Sequence, residues 1–256
     1  MLLAVDIGNT STTLGVFDGE KLRATWHMAT GVHRMADEYA ALLFNLLRQQ
    51  GLETSDIKAV ALCSVVPPLI STFAELFQRY FHISPLVVGA GVKTGVRIRM
   101  DNPREVGADR IADAAAAHHL YGGPVIIIDL GTATTFGIIS KEGDYIGGII
   151  ATGIATAAEA LFTRTAQLPR VELSQHPEHV IGTNTVAAIQ SGIIYGYASL
   201  VEGMLTRIQK ELGEKAKVVA TGGYAELIAR ETKAIDVVNP DLTLIGLRLV
   251  YEMNKD

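Results

Sequence analysis

A single cysteine in 256 residues, Cys63, rules out a disulfide within the chain. It ends the apolar run Ala59-Val60-Ala61-Leu62-Cys63, where a free thiol packs as a small buried hydrophobe. Positive charge is not in excess: 22 lysines and arginines stand against 27 acids, a net charge of −5. Binding a nucleic-acid backbone needs a positive footprint, so no nucleic-acid partner is expected. A nucleotide remains possible, because backbone N–H groups and a metal ion can hold its phosphates. Apolar runs such as Val125–Ile128 fall far short of the ~20 residues a membrane span needs. The opening Met-Leu-Leu-Ala-Val-Asp has no basic stretch and reaches an acid at position 6, unlike a secretory signal. A cytoplasmic location with no membrane contact is therefore expected. Histidines are not grouped for zinc: His118 and His119 are adjacent on a predicted helix and point about 100° apart, and His176 and His179 lie in a polar loop without a nearby cysteine.

Apolar residues, at 48% against 19% charged, are ample for a sizeable core and argue against disorder. The length suits one large domain or two of about 125 residues. An internal repeat decides for two. Asp6-Ile7-Gly8-Asn9-Thr10-Ser11-Thr12-Thr13-Leu14-Gly15 is matched, after a one-residue gap, by Asp129-Leu130-Gly131-Thr132-Ala133-Thr134-Thr135-Phe136-Gly137. A spacing of half the chain is too long for a solenoid.

Each copy follows an apolar run and reads as strand, tight polar turn and antiparallel strand, with third strands over 22–28 and 144–150. Met35, Tyr39, Leu42, Leu43, Leu46 and Leu47 recur at helical spacing until Gly51. Residues 57–65 read as a buried strand, 67–81 as a helix with prolines in its tolerated first turn, 86–88 as a short strand and 108–121 as an alanine-rich helix. The second half repeats the order: strands within 125–150, helices within 154–165 and 184–212, a strand over 217–220, a helix over 224–230 and a closing helix over 240–253. The pattern predicts an α/β fold, a duplicated ribonuclease H-like arrangement with two mixed five-stranded sheets, divided near Gly122-Gly123 into residues 1–122 and 123–256. Trp26 falls on a predicted strand and reads as packing. The long apolar helix with Ile189, Ile193, Ile194, Tyr197, Leu200, Val201 and Leu205 suits either an internal core or a subunit interface.

In the first turn a carboxylate, Asp6, ends a buried strand, Gly8 admits a close ligand, and amide and hydroxyl donors follow. Such a turn can wrap phosphate oxygens while Asp6 holds a hydrated Mg²⁺. One copy is an ordinary polar turn; two copies heading two domains suit a clamp on a polyphosphate. Val218-Val219-Ala220-Thr221-Gly222-Gly223-Tyr224 is a strand running into paired glycines and a helix, a place for a flat adenosine or simply a tight connection. In Asp101-Asn102-Pro103-Arg104-Glu105-Val106-Gly107-Ala108-Asp109-Arg110, Asp109 and Arg110 open the alanine-rich helix. Asp109 can be a helix-stabilising acid or the acceptor of a substrate hydroxyl proton, with Arg110 and the helix N–H groups holding an anion.

Residues 6–10, 102–110, 129–135 and Gly147-Gly148-Ile149-Ile150 together resemble the type III pantothenate kinases, within the actin, sugar-kinase and heat-shock ATPase superfamily. The resemblance covers essentially the whole chain. It implies an actin-like ATPase fold and ATP-dependent phosphorylation of pantothenate, the first step of coenzyme A biosynthesis. By the same resemblance Asp6, Ile7, Gly8, Asn9, Thr10, Ser11, Thr12 and Thr13 cradle ATP-Mg, and Thr132 contacts ATP. Gly107, Ala108, Asp109 and Arg110 bind pantothenate with Asp109 as general base, Thr185 touches it, and Asp129 helps hold a monovalent cation, K⁺ or NH₄⁺. A homodimer is implied too. Two departures stand out: Met100 where the family often has an aromatic substrate contact, and Thr152-Gly153 in place of Pro-Gly. Other readings on the same fold are a kinase for another small hydroxylated metabolite and a non-catalytic nucleotide-binding regulator.

Overall fold

Along Leu2–Ile7 (β1) the side chains alternate between two buried faces, as the period-2 geometry of a strand between helix layers demands. Leu3, Val5 and Ile7 join one apolar cluster; Leu2 and Ala4 join another, and Asp6 is next on that second face. The structure, a computed structural model, describes residues 1–173 and 177–255; His176, read above as a loop residue, lies outside them.

Two compact units result. The first holds Met1–Ala116 together with the chain from Leu242 onward, the second Ala117–Asp241. In the first unit β1, Ser11–Asp18 (β2), Lys21–Ala29 (β3), Ala59–Ser64 (β4) and Leu86–Val87 (β5) form a sheet of order β3-β2-β1-β4-β5. β1, β2 and β3 pair antiparallel, whereas β4 and β5 run parallel to β1. Ala36–Gln49 (α1) and Pro67–Phe81 (α2) cover the Leu3–Val5–Ile7 face with Tyr39, Leu43, Phe73 and Phe77. Each such fully buried side chain is worth about 1.5–3 kcal/mol. Trp26 packs at the edge of this cluster, as expected. Two prolines open α2, and His82 at φ 57° closes it.

The second unit repeats the plan. Val125–Leu130 (β6), Ala133–Ile139 (β7), Tyr145–Thr152 (β8), Lys217–Thr221 (β9) and Val237–Val238 (β10) give the order β10-β9-β6-β7-β8, again with three antiparallel strands and two parallel ones. Ile154–Arg164 (α4), Thr185–Leu212 (α5) and Ala225–Ala229 (α6) cover the face of Ile126, Ile128 and Leu130. α5 starts where the Asn184 side chain accepts the Ala187 N–H and stops at Gly213, φ 72°. Its Ile189, Ile193, Tyr197, Val201 and Leu205 are core.

The chain divides differently from the expected split at Gly122-Gly123. Ala108–Tyr121 (α3) begins in the first unit and ends in the second, and the closing helix, Leu242–Asn254 (α7), packs in the first unit instead of the second. Leu244, Leu247 and Val250 fill the cluster containing Leu2, Ala4, Cys63, Ala112 and Ala115. Gly246 makes this possible, since a Cβ there would run into the Ala112 carbonyl oxygen and lie 2.9 Å from its Cα. Thr243 Oγ1 donates to the buried Asp113 Oδ1 at 2.7 Å. The sequence also left the two-residue strand β10 unplaced.

Candidate functional site

Asp6, next to last in β1, lies opposite Thr13 on β2 and Cys63 on β4. The fully buried Cys63 thiol donates to Asp6 Oδ1 at 3.2 Å. Burial first, and then the charges of Asp6, Asp109 and Asp113, push that thiol well above its usual range, so it stays a protonated donor. The charges of three carboxylates, from the end of β1 and the first two turns of α3, thus act on one thiol.

The turn after Asp6 is tied at both ends. Gly8 N–H donates to Ser11 O at 3.0 Å, and a Cβ on Gly8 would sit 2.9 Å from that oxygen. Thr30, just past β3, donates its hydroxyl to Gly8 O at 2.8 Å and its N–H to Thr10 O at 3.0 Å. Thr12 is fully buried with its Oγ1 3.0 Å from Thr30 Oγ1. Asn9, Thr10 and Ser11 are exposed, and Thr13 Oγ1 lies 3.2 Å from His27 Nδ1.

At the head of α3, Asn102 caps the turn before it by accepting the Arg104 N–H and binding Glu105 Oε1 at 2.7 Å. Asp109 and Arg110 are half-buried in the first turn. Asp109 Oδ1 accepts the Arg110 N–H at 2.8 Å, and any Cβ on Gly107 would collide with that same oxygen. The bare α-carbon at 107 therefore leaves room for the carboxylate where it stands. Asp113, one turn further and nearly fully buried, lies on the same helix face.

The second unit carries the matching turn. Asp129 lies opposite Thr135 on β7 and Thr221 on β9, and Gly131 N–H donates to Ala133 O at 3.1 Å. Gly222 at φ 90° lets β9 pass beside it; a Cβ there would strike Asp129 Oδ1 and come within 2.8 Å of Leu130 N. Thr132 is exposed, and its carbonyl accepts the Thr156 hydroxyl at 3.0 Å. Gly153 stands where the first unit has Thr30, and a Cβ there would collide with the Gly131 and Thr132 carbonyls. Tyr197 Oη donates to Thr152 O at 2.8 Å, so the Thr152-Gly153 pair is anchored from α5.

Beyond Gly222, the Tyr224 N–H donates to Leu130 O at 3.2 Å. A cavity of about 1010 Å³ opens beside this connection, bounded by Thr156 and Arg164 of α4, Gly223, Tyr224, and Leu227 and Arg230 at α6. Thr185 is the exposed first residue of α5. Among the described residues no group of three or more histidine, cysteine or acidic side chains is disposed to hold a metal ion, and no helix is long and apolar enough to cross a membrane. The lone carboxylate at the first turn, Asp6, suits Mg²⁺ that keeps its waters and takes its other ligands from phosphates.

The structure therefore brings Asp6 and Asp109, with Arg110 next in sequence, together in the first unit, and Asp129, Thr132 and the Gly222-Gly223 connection into the second. Cys63 is the buried thiol the sequence predicts, and the structure adds its bond to Asp6. Sequence reasoning missed two residues: Asp113, although it lies four residues from Asp109, and Thr30, which the repeat does not mark because its counterpart is Gly153.

The chain matches the family model described as type III pantothenate kinase over residues 2–207. It is 59% identical over 254 residues, 99% of its length, to a type III pantothenate kinase of Dehalococcoides mccartyi (strain CBDB1), covering 96% of that protein. It is 54% identical to the one from Moorella thermoacetica, covering 99% of this chain and 100% of that one. The activator of the 2-hydroxyisocaproyl-CoA dehydratase from Clostridium difficile, solved with bound ADPNP, shares the fold at a TM-score of 0.57 and 16% identity, over 98% of this chain and 96% of that one. With a family model spanning most of its length and relatives above half identity end to end, this chain belongs to the type III pantothenate kinase family.

Proposed function

We propose that the chain transfers the γ-phosphoryl group of ATP to the primary hydroxyl of pantothenate, giving 4′-phosphopantothenate, the first step of coenzyme A biosynthesis. The observation that carries this reading, beside family membership, is the placement of Asp109. It heads α3, half-buried, with Asp6 acting on the same buried thiol and Gly107 bare beside its carboxylate. The pantothenate hydroxyl oxygen attacks the γ-phosphorus, its proton passes to Asp109, and the bond to the bridging oxygen breaks so that ADP leaves with the electron pair. Arg110 and the N-terminal N–H groups of α3 suit the pantothenate carboxylate, and Thr185 adds a contact. When bound, Mg²⁺ and a monovalent cation, K⁺ or NH₄⁺, offset charge on the phosphates.

Residues 6–13 and Thr132 are the ATP-binding parts; Asp6 would hold Mg²⁺ through water, and Asp129 would help hold the monovalent cation. The cavity beside Gly223 and Tyr224 supports an adenosine there, with Leu227 as an apolar wall. A homodimer and a cytoplasmic location complete the reading.

The assay is direct. With ATP, Mg²⁺ and K⁺ present, ADP should appear only when pantothenate is added, and phosphopantothenate should appear in equal amount. ADP formed with other hydroxylated acceptors but not with pantothenate would transfer the site to a different metabolite. Clean ATP binding without turnover on any acceptor would make the chain a nucleotide-binding regulator.

A further inference from the structure

Thr30 lies outside the turn that reads as the phosphate cradle, yet it touches that turn three times. Its hydroxyl donates to Gly8 O at 2.8 Å, its N–H donates to Thr10 O at 3.0 Å, and its Oγ1 is 3.0 Å from Thr12 Oγ1. Because the one Thr30 hydroxyl proton is committed to Gly8 O, Thr12 is the donor in the remaining bond. The order is then Thr12 O–H to Thr30 O–H to Gly8 O=C, a directed chain whose members polarise one another.

The consequence follows from peptide planarity. In a trans peptide the N–H points away from its C=O, and among the described residues no peptide bond of the turn is cis. Fixing the Gly8 carbonyl toward Thr30 aims the Asn9 N–H the opposite way. Fixing the Thr10 carbonyl does the same for the Ser11 N–H. Asn9 and Ser11 are exposed while Thr12 is buried, so the two amides sit on the open part of the turn and the latch sits beneath it. Two amides held at set angles before a ligand arrives are what an anion needs from a backbone. The second unit has no such latch: the position matching Thr30 is Gly153, where a Cβ would collide with the carbonyls of Gly131 and Thr132.

We infer that Thr30 is a positioning residue for the nucleotide phosphates, holding the Gly8–Asn9 and Thr10–Ser11 peptide planes so that their N–H groups face the anion. This rests on the reading of residues 6–13 as the ATP turn. Thr30→Val keeps the shape and the main-chain bond and removes the hydroxyl; Thr30→Ser keeps the hydroxyl. Thr30→Val also strands the buried Thr12 hydroxyl, so a double variant, Thr12→Val with Thr30→Val, removes both polar groups and separates lost stability from lost positioning.

Calorimetric titration of the full chain with Mg-ATP, without pantothenate, reads the effect, with thermal melts alongside. Thr30→Val should weaken Mg-ATP binding about five-fold, the scale of one neutral hydrogen bond, with Thr30→Ser within about two-fold of the parent. The double variant should melt higher than Thr30→Val yet bind as weakly. Unchanged Mg-ATP affinity in Thr30→Val, or affinity recovered in the double variant along with its stability, overturns the inference. Asp6→Asn tells the two levels apart. If it weakens nucleotide binding while Thr30→Val does not, the latch alone is wrong; if neither variant affects binding, the turn is not the ATP site and both readings fall.

Discussion

Cys63 Sγ stands 3.2 Å from Asp6 Oδ1, donating to it across the β1–β4 pair where Asp6 and Cys63 are register partners. On this face Ala4 pairs with Ala61 and Leu2 with Ala59, so the strands are apolar until this position. The contact is where packing turns into chemistry: a neutral thiol binds Asp6 near the strand ends, under the charges of Asp109 and Asp113.

That environment makes stability depend on alkaline pH. The thiol is raised in the folded protein, first by burial and then by Asp6 and Asp109, whereas in the unfolded chain it loses its proton near pH ~8.5. The folded state therefore binds more protons above that point. The stabilising effect of the neutral thiol is complete below pH ~8.5 and is lost as pH rises toward the folded value, with a slope approaching ~1.4 kcal/mol per pH unit. Urea melts of the parent and Cys63→Ala at pH 7.5, 8.5 and 9.5 should show the gap between them narrowing with pH. A gap that stays constant would mean the thiol titrates normally in the fold.

Asp113 is a second buried acid, and Thr243 Oγ1 binds it at 2.7 Å from the first turn of α7. Thr243→Val keeps the volume and leaves the carboxylate short of one charge-assisted bond, a loss of about 1.5–3 kcal/mol. The urea midpoint should fall with an unchanged m-value. A midpoint within error of the parent would show that other partners of Asp113 suffice.

These two relationships mark the limit of the sequence. Asp6, Gly8, Asp129 and Gly131 were legible because a turn is local and the repeat printed it twice. Helix α2 could be bounded at Pro67–Phe81 because prolines and an apolar stripe are local too. Cys63 meets Asp6 only through strand register between residues 57 positions apart, which neither local pattern contains. The closing helix was recognisable from its apolar residues, but its stripe fits either sheet; Gly246 decided the matter by admitting the Ala112 carbonyl. Thr30 stands alone at a strand end, and its meaning appears only once Gly8 and Thr12 are beside it.

Gly246 supplies its own test. A methyl group there must push α7 off the α3 backbone at Ala112, and over-packing of this kind costs roughly 1–3 kcal/mol or more. Gly203 lies inside α5, where a Cβ would meet only Arg207 Nη1 at 3.6 Å. Gly203→Ala should gain about 0.5–1 kcal/mol from helix propensity. Thermal melts of the two alanine variants should move in opposite directions, and a Gly246→Ala protein as stable as the parent would contradict the close crossing.

Gly107 and Asp109 give the sharpest test of the proposed chemistry, because the carboxylate can be removed or kept and displaced. Asp109→Asn removes the base and should lower kcat at least ~100-fold, general-base help being worth ~10²–10⁴. Gly107→Ala keeps the carboxylate but puts a methyl group where Asp109 Oδ1 stands, so the acid must swing away. A misplacement of about 1 Å can cost ~10²-fold, and kcat should fall by ten- to a hundred-fold. Asp109 and Gly107 lie at the head of α3 and not in the turn at residues 6–13, so Mg-ATP affinity should hold in both variants. Steady-state kinetics with both substrates varied, together with Mg-ATP titration, distinguishes the cases. Near-normal kcat in Asp109→Asn removes Asp109 as base, whereas near-normal kcat in Gly107→Ala alone shows that the carboxylate reaches the hydroxyl from more than one rotamer.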